Sequence, residues 1–235
     1  MLFRSKVALV LHTQVADENG TDLEAVRQML FGNEKKYNII FDQNKYPSNV
    51  MNLLYNATDG CALISSNEGW GLSLTEAMIC GKPIIATVTG GMQDQMRFED
   101  ENGKWIEFDE NFCSNHFGTY KKHGEWAIPV FPSNSSLVGS PPTPYIWDDR
   151  LDFRDLAKAL RECFDLGKEE RARRGMLGHK WVTSDESMMS ARWMCKNIIK
   201  YIDQTLETWK PRKSFELIKI EKYPKKKLQI GRAHV

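Results

Sequence analysis

No apolar run in this chain approaches the roughly 20 residues that a membrane-spanning helix needs, and no signal peptide opens at Met1. An excess of charge is missing too: 32 Lys and Arg stand against 31 Asp and Glu, a net charge of +1. That balance exerts no global pull toward nucleic acid or acidic membranes. The five cysteines, Cys61, Cys80, Cys113, Cys163 and Cys195, are odd in number and show no C-x-x-C spacing. Neither a disulfide scaffold nor a zinc site is suggested. Free thiols in a reducing compartment are expected, and with them a cytoplasmic location. No G-x-G-x-x-G follows the first apolar run, so the dinucleotide fingerprint of an oxidoreductase lacks support. Internal repeats are absent as well.

What is present is an ordinary globular composition, 41% hydrophobic and 27% charged, over 235 residues, enough for one large domain or one and a half. Short apolar runs alternate with helical patterns. Val7 to His12 reads as a strand. Thr21 or Asp22 can cap a helix running to about Phe31. Tyr37 to Phe41 is a second strand, and Val50 to Tyr55 carry helical spacing behind a first-turn Pro47. Gly60 to Ile64 is a third strand, followed by a helix over about Ser73 to Cys80 that Gly81 stops. Lys82-Pro83 then opens a fourth strand, Ile84 to Thr87, and a weaker fifth is expected at Trp126 to Val130. Strands apolar on both faces, alternating with helices, predict a Rossmann-like parallel sheet with helices on both faces. Asn102 to Gly124 is polar with scattered aromatics. Pro129 to Pro144, rich in Pro, Ser and Gly, reads as a long irregular loop. Helical patterns return from Asp152, over Met176 to Thr183, and from about Ser187 to Trp209.

The segment with chemistry in it is Ser65-Ser-Asn-Glu68-Gly69-Trp-Gly71-Leu72-Ser73-Leu-Thr-Glu76-Ala-Met-Ile-Cys-Gly81-Lys-Pro83. It leaves the carboxyl end of a buried strand, crosses a glycine-containing loop and enters a helix, at the sheet edge where open α/β folds bind ligands. Gly69 and Gly71 let backbone approach a ligand closely. Amides near Gly71, Leu72 and Ser73 at a helix N-terminus suit an anion such as a diphosphate. The two flanking carboxylates, Glu68 and Glu76, are suited to accept pairs of hydrogen bonds from vicinal diols. Plainer readings stand beside these. Ser73-x-x-Glu76 is also a capping box, Glu68 can be a solvated loop residue, and the glycines can serve ordinary turns.

Glu-Gly-Trp-Gly-Leu-Ser-Leu-Thr-Glu-Ala-Met-Ile-Cys-Gly-Lys-Pro, followed by Thr89-Gly90-Gly91, closely resembles the donor site of the retaining GT-B glycosyltransferases of the large family 4, with their E-x7-E motif. The resemblance runs more loosely from Val7 to about Phe164. It implies that the chain is the C-terminal, donor-binding half of a GT-B fold followed by C-terminal helices. Glu68 would act on the donor sugar's hydroxyls as the catalytic residue, and Glu76 would bind the ribose hydroxyls. The backbone of Gly69, Gly71, Leu72 and Ser73 would hold the diphosphate, and Gly90 and Gly91 would shape the neighbouring loop. His12, Lys45 and Asp94 are lesser lining candidates. The implied activity is sugar transfer from a nucleotide diphosphate sugar to an unknown acceptor with retention of configuration, with no metal and no cofactor beyond the donor. A GT-B sugar-nucleotide epimerase and a non-catalytic sugar-nucleotide-binding module are alternatives.

In this resemblance 1–184 is an incomplete nucleotide-sugar domain, 185–210 a C-terminal helix and 211–235 a basic tail. The Lys225-Lys-Lys227 run of that tail leaves membrane association open. The acceptor-binding N-terminal domain, and a first strand–helix unit bearing an Arg/Lys diphosphate clamp, are expected upstream of Met1. That missing strand would lie in the middle of the sheet, so the chain alone is expected to be poorly stable and inactive. The closing Ile230-Gly-Arg-Ala-His-Val235 is what a common sequencing-adapter sequence encodes, and is read as adapter read-through.

Overall fold

The apolar runs become parallel strands, and in the middle one of the three-stranded sheet both faces find helices to pack on. The computed structural model describes residues 7–16, 20–32, 37–107 and 114–211. Strands β1 (Ala8–His12) and β2 (Asn38–Asp42) pair in parallel, joined through helix α1 (Leu23–Phe31). Helix α2 (Ser48–Ala57) leads to β3 (Cys61–Leu63). Helix α3 (Leu72–Ile79), β4 (Ile84–Thr87), α4 (Met92–Met96) and β5 (Ala127–Val130) follow, and the three strands form a parallel sheet in the order β3-β4-β5. Asp22 is the cap of α1, its carboxylate accepting from the Ala25 amide at 3.0 Å. Pro47 is the N-cap of α2 and lies just outside the first turn.

β4 shows how the sheet is covered. Ile84 and Ala86 are fully buried on one face, with Leu74, Ala77 and Met78 of α3 and with Trp181 and Val182 of α6 (Gly167–Val182). Ile85 faces the other way and packs with Ile128, Val130 and the Ala159 and Cys163 of α5 (Phe153–Asp165). Alternation of period two in one strand thus feeds two cores, as a doubly covered parallel sheet requires. Pro129 is tolerated in β5 because that strand is an edge. The Trp126 and Val130 carbonyls accept from β4, so residue 129 between them turns its missing N–H outward. Close packing of α6 depends on small residues: a Cβ on Gly175 would lie 1.8 Å from the Gly81 carbonyl oxygen.

One expectation is corrected. Most of the Pro129–Pro144 stretch is not an irregular loop. β6 (Asn134–Ser140) and β7 (Thr143–Arg150) form an antiparallel hairpin closed by Pro141-Pro142, with a bulge between Val138 and Ser140. Gly139 sits in that bulge at φ 153°, where a Cβ would fall 2.8 Å from the Pro144 carbonyl oxygen. Strong cross-strand neighbours such as Leu137 and Trp147 outweigh the turn-rich composition.

No ladder joins β1–β2 to β3–β5 among the described residues. Neither α1 nor α2 buries a residue fully, and Met29, Leu30, Ile40 and Leu53 are exposed. The first compact unit ends at Ser190. Helix α7 (Ala191–Thr208) belongs to a second unit and is amphipathic, with no buried residue. No helix among the described residues is long and apolar enough to cross a membrane. Cys61, Cys80, Cys163 and Cys195 are free thiols. Cys113, the Lys225–Lys227 run and Ile230–Val235 lie outside the described residues.

Candidate functional site

Two loops meet at the carboxyl ends of β3 and β4. The first runs from Ser65 to Gly71 into α3, and the second from Val88 to Gly91 into α4. Their contact is backbone on backbone, and glycine is what permits it. A Cβ on Gly90 would lie 2.0 Å from the Glu68 carbonyl oxygen, and one on Gly91 would lie 2.2 Å from that of Gly69. The Gly91 amide donates to the Glu68 carbonyl at 3.2 Å. Gly71 has φ 82°, in the left-handed region, and a Cβ there would meet Leu63 Cδ2 at 2.9 Å and Met92 Cγ at 3.2 Å. Gly69 differs from the other three: nothing stands within 4 Å of its Cβ position. The protein's own packing therefore makes no demand for glycine at 69.

The first loop is also held from below. Gln95 is fully buried, and its amide nitrogen donates to the Trp70 carbonyl and, at 3.3 Å, to that of Gly71. Its own Oε1 accepts from Thr75 Oγ1 at 3.0 Å, and Trp70 Nε1 donates to the same hydroxyl at 3.0 Å. Gln93 does the same for the second loop, its amide nitrogen donating to the Gly90 carbonyl at 3.2 Å and to that of Ser114 at 2.9 Å, and sequence reasoning singled out neither glutamine. Two glutamines close behind a Gly-Gly pair were the available signal.

Gly71 is the N-cap of α3, so the helix begins at Leu72, one residue before Ser73. Ser73 is then inside the helix, no side chain caps it, and the capping box does not form. Glu76 stands one residue beyond the first turn, not within it. The Leu74 amide closes onto the Gly71 carbonyl at 3.0 Å, and the amides of Gly71, Leu72 and Ser73 have no acceptor among the described residues. Leu72 is 69% exposed, which leaves that helix end open to solvent.

Glu68 is half-buried on the first loop, with Ser65 Oγ at 3.5 Å from its Oε2. Glu76 is exposed, and Tyr55 of α2 donates its hydroxyl to Oε2 at 2.8 Å. That bond orients the carboxylate and leaves Oε1 free to accept. The Tyr55 hydroxyl is held well above its usual range by burial, by its bond to Glu76 and by that carboxylate's charge. Cys61 is pushed up to about 11 by burial and by the same charge, so it is a thiol at neutral pH.

The structure thus packs Glu68, Gly69, Gly71, Gly90 and Gly91 together and sets Leu72, Ser73 and Glu76 along the helix that follows. The lesser candidates are elsewhere. His12 ends β1, hydrogen-bonded to the Asn44 carbonyl at 2.8 Å and stacked on Tyr46, and Lys45 is exposed in the loop after β2. Asp94 lines a separate cavity of about 250 Å³ with Trp70, Trp105, Glu107, Ser187 and Met188. Its carboxyl is raised to about 6 by burial and by Glu107. Among the described residues no group of three or more His, Cys, Asp or Glu could hold a metal ion.

Both loops lie inside a stretch of the chain that is similar to a known family. Residues 15–111 match the family of glycosyl transferases group 1. The glycosyltransferase match takes in both glutamates and all four loop glycines. No curated protein matches by sequence. Among solved structures the chain is similar to a sucrose-phosphate synthase from Thermosynechococcus elongatus, at 18% identity over 86% of this chain and 39% of that one, with a TM-score of 0.54. It is also similar to the catalytic domain of starch synthase IV from Arabidopsis thaliana, at 17% identity over 79% of this chain and 29% of that one, with a TM-score of 0.42. The first likeness establishes the fold: a parallel α/β domain of the GT-B type followed by helices. The chain spans about two fifths of that synthase's length.

Proposed function

We propose that this chain supplies the donor site of a retaining glycosyltransferase that uses a nucleotide diphosphate sugar. The observation carrying the reading is the junction of the two loops. Gly90 and Gly91 press against the carbonyls of Glu68 and Gly69, beside a helix end with three amides that have no acceptor among the described residues. A diphosphate at that helix end gains hydrogen bonds from the Leu72 and Ser73 amides and the favourable end of the helix dipole. Charge grows on the diphosphate as the glycosidic bond breaks, so donors already aimed at it favour the transition state over the bound donor. Glu68 receives hydroxyls of the donor sugar. Glu76, steadied by Tyr55, receives the ribose diol through its remaining lone pairs.

Retention follows from attack by the acceptor on the face from which the diphosphate departs, so no side-chain nucleophile is required. The acceptor site and a basic diphosphate clamp belong, in this reading, to upstream sequence, including a parallel strand between β1 and β3. The separation of the sheet into β1–β2 and β3–β5 supports that placement. The four free thiols among the described residues fit a cytoplasmic site of action.

Calorimetric titration of the chain with UDP, ADP, GDP and their glucose conjugates tests the reading. Binding of one nucleotide series, abolished by Glu76→Ala and preserved by a distant control such as Lys158→Ala, is expected. Absence of binding across the series, with the chain shown to be folded, would overturn it.

A further inference from the structure

Asp149 of β7 is 1% exposed and carries a carboxylate into the interior without a Lys or Arg partner among the described residues. A buried carboxylate in that state persists only where hydrogen bonds hold it. Its bonds reach the loops described above. Thr89 donates its hydroxyl to Oδ2 at 2.7 Å, and Thr89 immediately precedes Gly90-Gly91. Asn115 donates its amide to Oδ1 at 2.8 Å, and the adjoining Ser114 carbonyl accepts from the Gly90 amide at 2.8 Å. The Asp149 backbone amide donates to the Ser66 carbonyl at 2.9 Å, two residues before Glu68. One residue of the hairpin therefore ties the Glu68 loop, the Gly90-Gly91 loop and the 114–117 segment to a single point.

We propose that Asp149 is a positioning residue of the donor site, fixing the Ser65–Gly71 and Thr89–Gly91 loops against each other so that Glu68 and the α3 amides address one ligand. This rests on the donor-site reading and deepens it, because it gives the β6–β7 hairpin a task in that site. Hydrogen-bond polarity makes the idea testable. Asn115 already uses its Oδ1 to accept from the Phe117 amide at 2.8 Å, so its NH2 is the only group it can offer to residue 149. Asp149→Asn keeps shape but turns an NH2 either on that NH2, donor against donor, or on the Thr89 hydroxyl, which can rotate to accept it only by leaving its own buried O–H without the acceptor it has now. The exchange N115D/D149N restores every bond: residue 149 accepts from Thr89 and donates to residue 115, which still accepts from Phe117.

The test compares the full chain with D149N, N115D/D149N and T89V in two measurements. Hydrogen exchange without ligand follows the amides of Gly90, Gly91 and Asp149, which close the junction. D149N is expected to speed their exchange at least tenfold while the β1–β2 amides stay unchanged, and N115D/D149N returns them to the parent rates. Titration with the diphosphate the parent binds best among UDP, ADP and GDP is expected to weaken at least tenfold in D149N and to recover within about threefold in the exchanged pair. A uniform change across the whole chain, unchanged exchange and binding, or failure of the exchanged pair to recover would overturn the proposal. If D149N does not fold, T89V decides in the same way, by selective or uniform exchange. Should the parent bind none of the three diphosphates, the donor reading fails while the exchange rates still decide the role of Asp149.

Discussion

Gly69→Ala separates a glycine required by the fold from one required by a ligand. Nothing lies within 4 Å of the Cβ position at 69, and its φ is not in the left-handed region, so a methyl group there meets only solvent. Stability should change by no more than about 1 kcal/mol in either direction, since alanine also narrows the unfolded ensemble. The account puts the donor in that open space, and a methyl group there should weaken nucleotide binding tenfold or more, about 1.4 kcal/mol. Gly91→Ala is the matched control. Its φ of −68° suits alanine, so the penalty is steric alone. The new Cβ would stand 2.2 Å from the Gly69 carbonyl oxygen, and the loops must part by about 1 Å. That overpacking costs about 1–3 kcal/mol, and binding falls with it. Thermal melts and calorimetric titration on both variants give the comparison. A Gly69→Ala protein that binds as the parent does, or that melts as early as Gly91→Ala, would refute the reasoning.

Tyr55→Phe removes the donor that steadies Glu76. We expect about 1 kcal/mol of lost stability and several-fold weaker nucleotide binding, read by the same two methods, whereas unchanged binding would show that Glu76 needs no steadying. Asp94, raised to about 6, binds its proton more tightly folded than unfolded, where its value is 3.8. Its contribution is therefore fully present below about pH 4 and is lost as pH rises through about 6. Asp94→Asn should flatten that fall, worth on the order of 1 kcal/mol for a partly exposed group, and denaturant titrations across that window would show equal slopes if the idea is wrong. Gly175→Ala should separate α6 from the turn after α3 and cost about 2 kcal/mol or more, measured by urea unfolding. A loss below about 0.5 kcal/mol would mean that the turn yields easily.

The parallel strands were legible because each is a short apolar run bounded by turn residues, and β4 carries its two-faced burial openly in Ile84-Ile85-Ala86. The hairpin was not. Asn134 to Ser140 is polar, Gly-containing and followed by two prolines, so composition spoke for a loop. The weak alternation of Tyr145, Trp147 and Asp149 was the only contrary sign. Asp149 was hidden with it, since its importance lies in contacts with residues 34 and 60 positions away. The glycine-bearing loop was legible as residue types and the helix start to within one residue, but the cap was not. A left-handed Gly71 outcompeted Ser73 as cap, a choice made by Leu63 and Met92 packing against the glycine rather than by local sequence. Gly90 and Gly91 read as loop shapers, and the partner they approach, the Glu68–Gly69 backbone, appears only in three dimensions.

A crystal structure of the chain with the nucleoside diphosphate it binds best is the most direct measurement. The account predicts diphosphate oxygens within hydrogen-bond distance of the Leu72 and Ser73 amides, with the ribose diol on Glu76. A diphosphate bound away from the α3 terminus, or a ribose that leaves Glu76 untouched, would contradict it.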